Sequence, residues 1–231
     1  MHKNVDLICV DCKNVLGAIN AITVSIANST ILFDHIKLLT SIKIPQKYHH
    51  LLYENKIEVI YIDRIKNLND YNKLSIINLY EYIDSENVMI IQWDGFPINS
   101  KCWNAEFLDY DYIGAPWFFE SLIYKHKVGN GGFSIRSKRL CEFTAKDKWF
   151  VREVSRSNNL LEYGYNFNAE DNLICIINKV LLETSGFCFA PFEIAKKFSA
   201  ETEPYSKDHY GFHGFHHYKS LPEHIQKMFR S

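Results

Sequence analysis

The chain of 231 residues has almost no net charge, no long apolar run and few glycines, and each shortage removes a class of protein. A formal net charge of -1 leaves no basic excess for a phosphate backbone, so nucleic acid is not expected as a partner. No stretch reaches the roughly 18 uncharged apolar residues of a membrane helix, and MHKNVDLICVDCKN lacks a charged start followed by a long apolar segment. A soluble, unprocessed chain with no transmembrane segment is the expectation. The 6 cysteines are irregularly spaced, which does not suit a disulfide framework. Cys9 and Cys12, the one close pair, fall in a run that reads as a buried strand rather than at a helix start, so plain core cysteines in a reducing, cytoplasmic setting are expected. Internal repeats, Pro/Ser-rich linkers and low-complexity blocks are also missing, and residues 1–231 read as a single domain.

What is present is a globular composition, 47% apolar and 23% charged. Folding at this length buries roughly 70 to 75% of the unfolded surface, enough for a real core. The first half alternates strand-like and helix-like segments. Val5 to Val10, Ile36 to Leu39, Ile57 to Ile62 and Val88 to Gln92 are short apolar or β-branched runs that predict strands. Val15 to Ala27 and Asn69 to Ile83 repeat apolar residues at helical spacing. Strands apolar on both faces and separated by helices imply a mostly parallel, Rossmann-like sheet covered on both sides. Ligands of such sheets sit outside the carboxyl ends of the strands, which directs attention to Asp11, Asp63 and Trp93-Asp94-Gly95.

The second half is richer in aromatics, and three of the 10 glycines fall between positions 129 and 132 in VGNGGFSIRSK. Gly129, Gly131 and Gly132 with Asn130 permit positive φ and let a ligand approach the backbone without a Cβ in the way. The spacing is neither that of a P-loop nor of a dinucleotide turn. A strand is predicted to leave the turn, with Phe133 and Ile135 on one face and Ser134 and Arg136 on the other; Arg136 then either counters phosphate charge or is a surface residue beside a tight hairpin. Asp94 either holds a divalent cation or caps the next turn. Glu170 and Asp171 open an apolar helical run around Asn168 to Leu182, where acids suit the helix dipole and also suit a general base. Among the clustered His209, His213, His216 and His217, His213 is flanked by Gly211 and Gly214 and is the preferred metal or phosphate contact. In the cluster of Tyr110, Tyr112, Trp117, Phe118 and Phe119, Trp117 is the candidate for stacking on a sugar, against the alternative of core packing.

Taken in order, Gln92-Trp93-Asp94, DYIGAPW at 111–117, VGNGGFSIR at 128–136, Glu170-Asp171, Ala195-Lys196-Lys197-Phe198-Ser199 and Gly211-Phe212-His213-Gly214 resemble a family of glycosyltransferase-like domains with the pattern IQxD, DYIGAPW, VGNGGFSLRS, ED, AxxFSxE, GFHG. The likeness runs from about residue 88 to 217. It implies a GT-A-type α/β fold, with a nucleotide-binding half over 1–95 and a mixed, acceptor-binding half over 96–231. It also implies transfer of a sugar from a nucleotide diphosphate sugar to a hydroxyl of a glycan or other acceptor, with Mn²⁺ or Mg²⁺. On that reading Asp94 matches the last acid of the Asp-x-Asp metal signature and His213 completes the metal shell. Asp11, Asp63, Asn130, Gly131, Gly132 and Arg136 face the donor, Trp117 faces the acceptor, and Glu170 or Asp171 is the base. The chain departs from the signature at Gln92, where an acid is usual. Two other readings stay open at this point, a nucleotidyltransferase acting on sugar phosphates and a non-catalytic carbohydrate-binding domain.

Overall fold

A computed structural model of the chain describes residues 4–117, 128–156 and 169–229. Nine strands are present among them: β1 (Val5–Val10), β2 (Ile36–Thr40), β3 (Glu58–Tyr61), β4 (Asn87–Ile91), β5 (Gly95–Pro97), β6 (Tyr112–Gly114), β7 (Ser134–Ser137), β8 (Ser199–Ala200) and β9 (Gly211–His213). The helices are α1 (Val15–Asn28), α2 (His49–Glu54), α3 (Leu68–Lys73), α4 (Lys138–Lys146), α5 (Lys148–Arg156), α6 (Glu170–Asn172), α7 (Lys179–Thr184), α8 (Phe192–Phe198) and α9 (Glu223–Met228). The main sheet runs β3-β2-β1-β4-β7-β6. Strands β1 to β4 are parallel, with Leu7 beside Ile36 and Met89, and β7 and β6 add to the far edge in antiparallel fashion. A smaller sheet, β5-β9-β8, forms beside it.

The period of two in the strands explains why the sheet is covered on both sides. Leu7, Cys9, Leu38, Met89 and Ile91 pack on α1 residues Ile19 and Ile22, whereas Ile8, Val10, Leu39, Val88 and Ile90 pack on Leu74, Leu79 and Ile83. Leaving either face bare would forfeit roughly 1.5–3 kcal/mol for each large side chain, so both layers are obligatory. The chain enters α1 through two side-chain caps. Asp11 Oδ1 accepts from the amides of Lys13 and Asn14 at 2.6 and 2.5 Å, and Asn14 Oδ1 accepts from Gly17 at 3.0 Å.

Two predicted helices are interrupted. Regular helix ends at Lys73, the backbone widens over Leu74–Asn78, and it tightens again over Leu79–Tyr82. The same widening follows α6, over Leu173–Ile177, where the amide of Asn178 reaches Leu173 O with its backbone N–H (3.2 Å) and its side chain (2.7 Å). The side chain thus adds a second donor to a carbonyl that the wider turn already satisfies through the backbone. Among the described residues no helix is long and apolar enough to cross a membrane.

Candidate functional site

The carboxyl ends of β1 and β4 border a cavity of about 320 Å³ lined by residues 10–13, 65–68, Tyr71, Gln92 and Trp93. Asp11 is on its wall, buried, with one carboxylate oxygen committed to the turn into α1. Asp63 does not join it. That residue is exposed in a separate depression with Arg64, Asp70 and Lys73, because β3 is the edge strand and ends away from the centre of the sheet.

Beyond Gln92 the chain turns sharply, and β5 pairs with β9 so that Gly95 lies opposite His213. This pairing brings together two residues 119 positions apart: His213 Nε2 is 4.0 Å from Asp94 Oδ1. Gln92 joins them, its Oε1 3.3 Å from the same nitrogen while its Nε2 donates to Tyr71 Oη at 3.0 Å. On the other side of the ring, Nδ1 lies 3.3 Å from Glu201 Oε1 and 3.0 Å from Asn130 Nδ2, and Asn130 Nδ2 donates to Glu201 Oε1 at 2.5 Å. Burial opposes the imidazolium, but the Glu201 hydrogen bond and the Asp94, Glu201 and Asp171 charges outweigh it and raise the His213 pKa.

The glycine stretch is explained by its protein neighbours. A Cβ on Gly131 would overlap the Glu170 carboxylate, and one on Gly132 would overlap the His213 imidazole. In this stretch only Asn130, with φ 48°, occupies the left-handed region, so the glycines serve close approach rather than positive φ. Gly131 donates its amide to Asp171 Oδ2 at 3.2 Å. Asp171 is partly buried, and burial together with the Glu170 charge raises its carboxyl pKa to about 7.

Three expected site residues turn inward. Arg136 is 1% exposed; it donates to Glu170 Oε1 at 2.6 Å and lies over the Tyr112 ring at 5.0 Å. It is therefore neither a phosphate contact nor a surface residue, and Glu170, at 3% exposure, is committed to it rather than free to act as a base. Trp117 is buried with Tyr112, Phe150 and Leu173, its ring covering Gly129, which removes it from an acceptor surface. Phe118 and Phe119 lie outside the described residues. Of the histidine cluster His213 is the one beside Asp94 and Gln92: His216 and His217 both donate from Nε2 to Glu201 O, at 2.7 and 2.9 Å, and His209 is held by Ser206 and Glu203. Cys9 and Cys12 are buried free thiols, and burial raises Cys9 well above the ordinary thiol range. Sequence pattern alone does not predict the contacts that Glu201, Gln92 and Tyr71 make here. The signal for Glu201 is the final letter of the AxxFSxE pattern.

A mostly parallel sheet with its polar cleft at the carboxyl ends of the strands is the architecture of the GT-A glycosyltransferases, and solved members of that class superpose on the chain. The galactosyltransferase LgtC, determined with donor and acceptor sugar analogs, matches with a TM-score of 0.57 and 13% identity over 90% of this chain and 86% of LgtC. GlyE of Streptococcus pneumoniae TIGR4 matches with a TM-score of 0.51 and 10% identity over 82% of this chain and 45% of GlyE. At such identities the likeness establishes the GT-A fold. By sequence the chain belongs to the family described as Protein of unknown function (DUF5672), whose profile matches residues 55–214. No curated protein matches it in sequence.

Proposed function

We propose that the chain is a glycosyltransferase that moves a sugar from a nucleotide diphosphate sugar to a hydroxyl of a glycan or other acceptor, with Asp171 as the base. The observation that carries this reading is the Asp171 carboxyl accepting from the Gly131 amide at 3.2 Å, near the cluster of His213, Asp94 and Gln92 in a GT-A fold; burial and the Glu170 charge raise its pKa to about 7. A base of that strength accepts a proton from a hydroxyl at neutral pH and gives it up again to water. The nucleoside end of the donor occupies the cavity at the ends of β1 and β4, whose size suits a small-molecule site. Asp11, Asn130, Gly131 and Gly132 border the donor, the first from the cavity wall and the others from the side of the transferred sugar.

In the step proposed, the acceptor oxygen bonds to the anomeric carbon as the bond from that carbon to the diphosphate oxygen breaks. The electron pair leaves with the diphosphate, and the acceptor proton passes to Asp171. The donor set beside it fits a divalent cation such as Mn²⁺ or Mg²⁺: Asp94 Oδ1 and Gln92 Oε1 supply oxygen and His213 Nε2 supplies nitrogen, a mixture that favours Mn²⁺ of the two. Tyr71 holds the amide so that its oxygen, not its nitrogen, faces His213, and this lets Gln92 stand in for an acid with one charge fewer. Such an ion supplies positive charge to the departing diphosphate.

The experiment is release of nucleoside diphosphate from a panel of sugar nucleotides by the parent and by D171N. The parent is expected to turn over at least one donor, faster as pH rises through about 7. The variant is expected to lose roughly 10²- to 10⁴-fold in rate while remaining folded. A D171N protein as active as the parent overturns the assignment of the base.

A further inference from the structure

His213 sits at the junction of the cleft, and the proton on its ring decides what the ring can do. The imidazole lies between Gly95 and Gly132, where a Cβ on Gly95 would come within 2.6 Å of Cδ2 and one on Gly132 would overlap Nε2. The two ring nitrogens face different sets of neighbours. Two neutral arrangements fit the distances. In one, Nδ1–H donates to Glu201 Oε1 (3.3 Å) and the lone pair of Nε2 faces Asp94 Oδ1 (4.0 Å) and Gln92 Oε1 (3.3 Å). In the other, Nδ1 accepts from Asn130 Nδ2 (3.0 Å) and Nε2–H donates to Gln92, which closes that nitrogen to any cation.

Glu201 is what separates the two. Its Oε1 accepts one hydrogen of Asn130 Nδ2 at 2.5 Å, and the same carboxylate oxygen, 3.3 Å from Nδ1, attracts an Nδ1–H and repels a lone pair there. Its backbone carbonyl is anchored by two ring donors, His216 and His217. Its Oε2 is buried and has no hydrogen-bond partner among the described residues, so the carboxylate keeps accepting capacity that Asn130 alone does not satisfy. We propose that Glu201 is a positioning residue that fixes the proton of His213 on Nδ1 and thereby leaves Nε2 as an open donor beside Asp94 and Gln92. Histidines that bind metals characteristically donate their second N–H to a carboxylate or carbonyl, and the Glu201–His213–Asp94 alignment has that form. The inference rests on the transferase reading only for the identity of the ion that Nε2 meets.

The test uses the whole chain labelled with ¹⁵N-histidine, with H213A to assign the resonances, and reads the tautomer from long-range ¹H–¹⁵N correlations at about pH 9, above the ordinary imidazole range. The parent is expected to carry the proton on Nδ1. A parent ring protonated on Nε2 overturns the proposal without any variant. E201M, which keeps the length of the side chain and removes its acceptors, is expected to move the proton to Nε2 and to weaken Mn²⁺ binding, measured by electron paramagnetic resonance, about 10- to 100-fold. E201Q, which retains an acceptor oxygen, is expected to recover most of that loss. An E201M protein with the parent tautomer and the parent Mn²⁺ affinity also overturns it. A parent that binds no Mn²⁺ counts against the cation of the proposed reaction, and the tautomer, read without metal or donor, distinguishes that failure from a failure of Glu201.

Discussion

The main sheet carries a carboxylate–histidine cluster at each end, and the two are built differently. At the amino end of β1, Asp6, His35 and Asp84 bring potential ligand atoms within 4.8 Å of one another. Asp6 there accepts from Asp84 N (2.7 Å), Ser85 N (3.1 Å), Ser85 Oγ (2.7 Å) and His35 Nδ1 (3.0 Å), while Lys37 Nζ meets Asp84 at 2.5 Å and Tyr82 O at 2.7 Å. Donors match acceptors and a lysine offsets the charge. At the carboxyl end, Asp94 and Glu201 share one histidine, Glu201 Oε2 is buried without a partner among the described residues, and the Asp171 carboxyl is raised to about 7. Proximity of ligand types alone therefore singles out the amino-end cluster, and the balance of donors and charge singles out the other.

Variants at the two ends make the contrast measurable. The largest effect on stability is expected behind the cleft rather than in it. R136M leaves Glu170 buried and unpaired and should cost about 3–5 kcal/mol in denaturant unfolding, with part of the loss recovered in R136M/E170M. D6A should cost roughly 1.5–3 kcal/mol, since it strands several donors, yet leave any stabilisation by Mn²⁺ and nucleoside diphosphate unchanged. D171N should act in the opposite direction. The folded carboxyl holds its proton to about pH 7, whereas an unperturbed one releases it near 3.8, so the native state binds more protons within that window and loses stability as pH rises through it. Asparagine does not titrate, and the Tm advantage of D171N over the parent should widen between about pH 4 and 7 and level off above. The smallest effect is expected at His35, half exposed at the rim of the amino-end cluster, where H35A should stay within about 0.5 kcal/mol.

The fold was legible where both faces of a strand are apolar: VMIIQ predicts a strand, and β4 is buried along its whole length. The breaks at Leu74–Asn78 and Leu173–Ile177 were not, because they depend on how a particular carbonyl is satisfied, and periodicity does not report that. In the site, Asp94 follows a central strand and His213 lies between glycines, and the fold places His213 Nε2 4.0 Å from Asp94 Oδ1. Arg136 and Trp117 misled for one reason. Burial here depends on the tertiary surroundings, since β7 is buried on both faces and the Trp117 ring packs over Gly129. Glu201 is not legible in this way, because it follows β8 and meets His213 of β9 only once those two strands pair.

The central claim is that the carboxyl-end cluster, and not the amino-end one, holds a cation with a nucleoside diphosphate. Thermal unfolding of the parent, D94N and D6N, each with a panel of nucleoside diphosphates and Mn²⁺, tests it directly. At 100-fold excess over Kd a ligand stabilises by about 2.7 kcal/mol, well within reach of a melting curve. Stabilisation of the parent and D6N with loss of the shift in D94N is the predicted result. A shift retained in D94N, or lost in D6N alone, would contradict the assignment.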